Sequence, residues 1–206
     1  GKQVGRYRCA QPTSALPRGY RPAPGEYCTI RPEARYAAAR FVIRQTAPYP
    51  IVGPRRHATY FRNSLLALYA PDDGRAVEYL VGLLNSSLMR YVYEATVRES
   101  AQRAFPQVKV GALRALPIRR LDLADPRDRA AHDAIVAAVR RLLARHERAA
   151  PGELAGDALA AELATLDRAL DRLVYALYGL DDGQIAAIAA AVPRDSGAAL
   201  RLRAGR

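Results

Sequence analysis

Residues 76–96, AVEYLVGLLNSSLMRYVYEAT, decide the fold class, because the apolar spacing here changes from that of strands to that of a helix. The apolar side chains fall on one helical face, which predicts a single amphipathic helix over the whole stretch. They are Val77, Leu80, Val81, Leu84, Leu88, Tyr91 and Val92. Upstream, apolar runs bounded by Gly and Pro predict strands at 39–47, 49–53 and 60–71, and residues 1–35 predict short strands joined by long loops.

Downstream of this helix, FPQVKVGALRALPI (105–118) predicts a strand at 107–110 and a short helix or turn at 111–116. Its alternation predicts that the apolar side chains face the core and that Gln107 and Lys109 face the other way, where Lys109 could meet a phosphate. The side chains expected in the core are Val108, Val110, Leu113, Leu116 and Ile118.

The C-terminal part predicts helices only. One helix opens at Asp125-Pro126, and a second carries leucines spaced 4, 3, 4, 3 and 4 residues apart from Leu159 to Leu177. The break between them predicts an antiparallel helical hairpin, and DDGQIAAIAAAV (181–192) predicts a last short helix. The predicted fold class is therefore α+β: a mixed α/β domain over 1–122, a helical hairpin tail over 123–192 and a disordered C-terminus over 193–206.

The positive charge is confined to one part of the chain. The net charge is +12; residues 1–120 hold 20 Lys and Arg against 7 Asp and Glu, whereas residues 121–206 hold 12 against 13. Ten of the twelve tyrosines also lie in the first part. This pattern favours a polyanion as partner, and nucleic acid over an acidic membrane, because no amphipathic helix collects the positive charge on one face. An arginine-rich solvated face is the alternative.

Several function classes find no support in the sequence. No stretch of about 18 apolar residues predicts a membrane span, and neither GxGxxG nor GxxxxGK occurs. Cys9, Cys28 and the three histidines lack metal-ligand spacing. The acidic pair Asp72-Asp73 precedes Gly74 and predicts a turn. We therefore expect no catalytic, cofactor or metal site in this chain.

Three segments together resemble a known family. They are RFVIRQTAPYPIVG…YFRNSLLAL (40–68), YLVGLLNSSLMRYVYEATVRESAQRAFPQVKVGALRALPI (79–118) and LDRALDRLVYALYGLDDGQIAAI (166–188). The first two resemble the TaqI-like C-terminal specificity domain, the target recognition domain of adenine-specific DNA methyltransferases and fused type II-G restriction–modification enzymes. The recurring motifs correspond to Arg44-Gln45, Asn63-Ser64, Leu84-Asn85-Ser86 and 105–118. The third resembles the helical tail that often follows this domain in the fused enzymes.

The resemblance implies a DNA reader separated from its catalyst. The parent enzyme would carry a Rossmann-like domain that binds S-adenosylmethionine and an Asn-Pro-Pro-Tyr motif that holds the flipped adenine, but neither NPPY nor DPPY occurs in this chain. Methyl transfer and any nuclease activity are thus expected upstream, in a longer bacterial, cytoplasmic protein of a phage-defence system, from which this chain is a fragment. The implied partners are double-stranded DNA, at the nucleoid, and the N-terminal methyltransferase domain.

The candidate DNA contacts are mostly arginines in loops, which neutralise phosphates, with amides that can read bases. They are Arg18, Arg21, Arg44, Gln45, Arg55, Arg56, His57, Asn63, Arg98, Gln102, Arg103 and Lys109. For Arg44 and Gln45 a structural hydrogen-bonding role is an equal alternative. Two other functions stay open: a protein-interaction or assembly module in which the hairpin matters, and the specificity subunit of a type I restriction system.

Overall fold

The computed structural model describes residues 36–55, 64–97, 106–149 and 156–192, together with the backbone of 4–5 and 8–9. The strands are β1 (Val4–Gly5), β2 (Arg8–Cys9), β3 (Phe41–Arg44), β4 (Val52–Pro54) and β5 (Leu65–Leu68). The helices in this part of the chain are α1 (Val77–Asn85), α2 (Ser87–Thr96), α3 (Val110–Arg114), α4 (Pro126–Arg148), α5 (Asp157–Tyr178) and α6 (Asp182–Ala191). The predicted α+β class is confirmed.

The three longer strands form one antiparallel sheet in the order β4-β3-β5. Phe41 of the central strand pairs with Pro54 on one side and with Leu68 on the other. Strand β3 is buried throughout its apolar length, which is why it reads as a continuous Phe-Val-Ile run rather than an alternating one. The strands predicted at 39–47 and 60–71 contain β3 and β5, and the strand predicted at 49–53 overlaps β4 at residues 52 and 53.

The single helix predicted over 76–96 is wrong, because the structure divides it into α1 and α2 at Ser86. Ser86 has an extended backbone (φ −70°, ψ 154°), and its Oγ accepts a hydrogen bond from Met89 N at 3.2 Å while donating to Leu83 O at 2.7 Å. Serine favours such caps over helix interiors. The apolar face continues through the break, so the period alone could not reveal it.

The tail is the predicted antiparallel hairpin. Arg145, late in α4, pairs with Glu162, early in α5, at 2.7 Å. Farther from the connection, Ile135 and Leu170 come together beside Gly82 of α1. A Cβ on Gly82 would lie 2.7 Å from Ile135 Cγ2, so α4 crosses α1 at a point where only glycine leaves room.

One hydrophobic core joins the sheet, α1, α2 and the tail. Its buried members run from Phe41 in β3 through Val81 and Met89 to Val139, Leu170 and Ile188. The division near residue 122 stays a prediction about sequence units, because in the structure the residues on its two sides share this core. The predicted disordered segment 193–206 and the loops predicted within 1–35 lie outside the residues whose side chains are described.

The predicted strand at 107–110 is wrong. Gln107 forms an isolated bridge with Thr46, and α3 begins at Val110. Because the period changes from that of a strand to that of a helix, Val110 does not join Val108 in the core: Val108 is fully buried, whereas Val110 is 46% exposed.

Candidate nucleic-acid interface

Arg44 and Gln45 stand where the central strand leaves the sheet. Gln45 N donates to Ser64 O at 3.0 Å, and Gln45 O accepts from Val108 N at 2.7 Å. The backbone of Gln45 thus joins the end of β3 both to the start of β5 and to the 107–108 segment. The two side chains are partly buried, and no hydrogen-bond acceptor in the described residues reaches the buried Arg44 Nε. The backbone role is structural, and a DNA contact by either side chain stays a prediction.

Arg55 lies at the end of β4, at the start of the predicted contact segment 55–57. Its backbone N–H donates to Arg40 O at 2.9 Å, and its Nη1 lies 3.4 Å from the carbonyl oxygens of both Ala37 and Ala39. The guanidinium therefore holds the chain that enters β3. These contacts fix the position from which Arg56 and His57 continue, although those two residues lie outside the described part.

Lys109 is exposed and occupies the N-cap position of α3. It neighbours Tyr93, whose hydroxyl is buried. Burial raises the pKa of Tyr93, and the Lys109 backbone and ammonium oppose that rise. Lys109 thus lies on the surface while the segment around it is anchored by buried Val108.

The other candidates fall outside the residues that the structure describes, and nothing is established about their positions. They are Arg18, Arg21, Arg56, His57, Asn63, Arg98, Gln102 and Arg103.

Asn85 of the Leu-Asn-Ser motif has a structural role that the sequence did not predict. Asn85 Oδ1 accepts from Val52 N at 2.9 Å, and Asn85 Nδ2 donates to Val52 O at 3.0 Å. The buried carboxamide therefore acts as a further strand partner for β4, tying it to the end of α1. Since β4 leads directly into the 55–57 segment, this motif sets where that predicted contact loop begins.

The tail motif holds the first half of the chain through a buried carboxylate. Asp171 of α5 is 5% exposed; its Oδ1 accepts from Ser87 N at 2.9 Å and its Oδ2 from Ser87 Oγ at 2.7 Å. An acidic group at a helix N-terminus satisfies free N–H groups and interacts favourably with the helix dipole. Asp171 thus fixes the start of α2 from a position 84 residues away in the sequence.

Two further tail side chains fix the same half. Tyr178 OH donates to Pro117 O at 2.7 Å and accepts from Arg119 N at 3.0 Å. His132 Nε2 accepts from Ala76 N at 3.0 Å, at the start of α1. The tail therefore supplies hydrogen bonds to the first residues of α1 and α2 and to the end of the 105–118 segment. It thus helps to hold the matched domain in place and is not a loosely attached appendage.

The acidic pair before α1 is a turn, as predicted. Asp73 accepts from Arg75 N at 3.2 Å and from Arg75 Nε at 2.8 Å, and Gly74 has φ 81°. The Arg75 guanidinium lowers the pKa of Asp73 to about 2. Asp73 is thus an ion-pair partner within a turn.

Two exposed arginines that are not among the predicted DNA contacts lie in or next to the 105–118 segment. Arg114 and Arg120 are exposed, and neither enters an ion pair in the described chain. Their neighbour Arg119 is different, because it pairs with Asp128 at 3.6 Å and donates to Leu177 O. Sequence alone does not separate these three arginines, since the distinction depends on partners in the tail.

A family model, that of the TaqI-like C-terminal specificity domain, matches residues 1–118, more than half of the 206-residue chain. The chain belongs to this family. TaqI-like specificity domains serve DNA sequence specificity in restriction–modification methyltransferases and are not catalytic. The match spans the Arg-Gln, Asn-Ser and Leu-Asn-Ser motifs and the 105–118 segment, and it ends just before the tail.

The same comparisons found no matching curated protein and no matching solved structure. Within the described residues of this TaqI-like domain and its tail, no group of His, Cys, Asp and Glu side chains could hold a metal ion. None of the described helices combines the length and apolar character needed to cross a membrane.

Proposed function

We propose that this chain recognises a specific sequence in double-stranded DNA. The observation that carries the proposal is that the TaqI-like match covers residues 1–118, the part of the chain that also holds 18 Lys and Arg against 7 Asp and Glu, a net +11 of the chain's +12. Arginine side chains neutralise phosphates and set the register on the duplex, and a few side chains then reach base edges. Each bidentate base contact contributes about 1–3 kcal/mol of discrimination.

The chain acts as the C-terminal specificity part of an adenine-specific DNA methyltransferase or of a fused type II-G enzyme in a bacterial phage-defence system. In this proposal an N-terminal domain outside this chain binds S-adenosylmethionine and holds the flipped adenine, and the match of this chain to a specificity domain supports that division of roles. That catalytic domain grips the duplex from the side opposite the reader in the cytoplasm. A reader working alone holds only half of this clamp and therefore binds DNA weakly.

The anchoring contacts support a reader of fixed shape. Asn85 ties β4 to α1, and Asp171 fixes α2, so the segments that leave these elements start from set positions. Predicted contacts follow both elements directly: Arg56 and His57 after β4, and Arg98 after α2. Side chains that read bases need support of this kind, because small displacements abolish bidentate geometry.

Equilibrium binding to a labelled random-sequence duplex, measured from 50 to 200 mM salt, tests the proposal. A protein that contacts six or more phosphates loses about a thousandfold in affinity or more over that range. We expect a steep loss for this chain, and a shallower one for Arg56→Gln/Arg103→Gln. The control Arg168→Gln/Arg172→Gln removes the same charge from the tail and should keep the original slope. A folded chain that binds no duplex at low salt would overturn the proposal.

A further inference from the structure

One buried carboxylate holds two exposed arginines together. Glu78 of α1 has a side chain only 5% exposed; its Oε1 lies 3.3 Å from Arg40 Nη2 and 3.7 Å from Arg140 Nε. Both arginine side chains are 64% exposed. Arg40 precedes β3 in the matched domain, whereas Arg140 belongs to α4 of the tail. The carboxylate thus brings together guanidinium groups from both parts of the chain.

These arginines retain donors for a ligand. Only Nη2 of Arg40 is hydrogen-bonded to Glu78. The 3.7 Å between Arg140 Nε and Glu78 Oε1 exceeds hydrogen-bond length. The Arg140 guanidinium is therefore attracted to the carboxylate, but it makes no hydrogen bond to it and keeps its N–H donors for a ligand. A third guanidinium, that of Arg55, lines the groove beside Glu78, and its buried Nε meets no acceptor in the described chain. Glu147 also lines the groove, so the lining holds two arginines and two glutamates, and Arg140, beside Glu78, adds a third guanidinium to the cluster.

We propose that Arg40 and Arg140, held by Glu78, contact the DNA phosphate backbone, so that the tail helix takes part in binding the duplex. The proposal rests on the proposed function. A guanidinium presents a planar pair of N–H donors that matches phosphate oxygens, and one already held in place loses less side-chain freedom on binding. The groove also contains Arg55, the first residue of the predicted contact segment 55–57.

Glu78 keeps the guanidinium groups of Arg40 and Arg140 close to each other in the free protein. A buried carboxylate is costly unless it is paired, so the arginines are retained beside it in the free protein. In the described residues no donor reaches its second oxygen, Oε2, so its pairing depends on Arg40 and Arg140 alone. The arginines therefore remain near each other, with their outer donors facing solvent, before any DNA arrives.

The test compares two variants of the whole chain. Arg40→Gln/Glu78→Gln/Arg140→Gln removes both arginines, together with the carboxylate that would otherwise be left buried and unpaired. Arg141→Gln/Arg148→Gln is the control: both residues are exposed on α4 and enter no described ion pair. The control loses two positive charges, whereas the triple variant has a net loss of one. General electrostatic attraction therefore predicts the larger effect in the control.

The measurement is the dissociation constant for a labelled random-sequence duplex between 50 and 200 mM salt, with folding checked by circular dichroism. Each phosphate contact contributes about 0.9 to the slope of log affinity against log salt, so the triple variant should lose about 1.8. Its loss of affinity over this fourfold salt range should then be about tenfold smaller than that of the wild type. The control should keep the wild-type slope.

A wild-type slope in the triple variant, or an equal reduction in the control, would overturn the inference while leaving the proposed function in place. That result would assign the Arg40–Glu78–Arg140 cluster to the fold alone. A folded wild-type chain with no salt-dependent duplex binding would instead overturn the proposed function itself, so the two failures are distinguishable.

Discussion

Replacing Asp171 by alanine removes the carboxylate by which the tail fixes the start of α2. The change leaves two buried donors, Ser87 N–H at 2.9 Å and Ser87 Oγ–H at 2.7 Å, without their acceptors. Hydrogen bonds to a charged group contribute about 1.5–3 kcal/mol each, and a buried donor left unpaired costs about 1–3 kcal/mol. The desolvation of the buried carboxylate offsets part of this sum, so we expect a net destabilisation of about 2–4 kcal/mol.

Urea unfolding followed by circular dichroism measures the free energy of unfolding of Asp171→Ala. The matched control is Glu162→Gln on the same helix, which removes an ion pair between partly exposed side chains and should cost less than about 1 kcal/mol. A double-mutant cycle with Ser87→Ala should give a coupling energy above about 0.5 kcal/mol. If Asp171→Ala were no more destabilised than the control, or if its tail unfolded in a separate earlier transition, the reasoning would be refuted.

Two further predictions concern packing and pH. Gly82→Ala should destabilise by about 1–3 kcal/mol in urea unfolding, because the new Cβ would lie 2.7 Å from Ile135 Cγ2. Gly111→Ala, where a Cβ meets nothing within 4 Å, should not destabilise. Burial raises the pKa of Tyr79 and of Tyr178, so their protons are released from the unfolded chain first. The contribution of these two tyrosines to stability should thus be constant up to about pH 10 and then fall by up to about 1.4 kcal/mol per pH unit for each tyrosine. The fall should be shallower in Tyr178→Phe, and an equal fall in this variant would contradict the assignment.

Much of the fold follows from periodicity. The buried Phe-Val-Ile run of β3 and the leucine spacing of α5 are local signals that burial reinforces, so both elements form where predicted. The break at Ser86 was missed because the apolar face of 76–96 continues across it, and only the cap formed by the serine side chain ends α1. Val110 was misplaced because a strand period was extended into the first turn of a helix.

The contacts between the two halves could not be predicted in the same way. Asp171 and Ser87 are 84 residues apart, and their pairing depends on how α5 packs against α2. The sequence does contain one indication of this pairing. Asp171 directly follows Leu170 of the leucine seam, where burial is expected, and a buried carboxylate needs a hydrogen-bonding partner. Arg40 and Arg140 were overlooked for a related reason: among 32 basic residues, only the position of Glu78 distinguishes them.

Lys109 and Val108 alternate as predicted, although the strand expected to contain them does not form. Lys109 is exposed and Val108 is buried, as the strand period predicted for these two neighbours. The segment is therefore scaffold with an exposed cation at its surface. Of the loop arginines that carry most of the predicted contacts, only Arg55 falls within the described residues, where its contacts are with backbone carbonyls.

The most direct test of the central claim is selection of duplexes from a random-sequence pool by this chain, followed by sequencing of the retained DNA. The selection should be made at low salt, because a reader without its catalytic domain binds weakly and salt weakens phosphate contacts further. If the chain reads sequence, one short motif should be enriched over successive rounds. Retained DNA as random as the starting pool, from a chain that is folded and binds duplex, would contradict the claim.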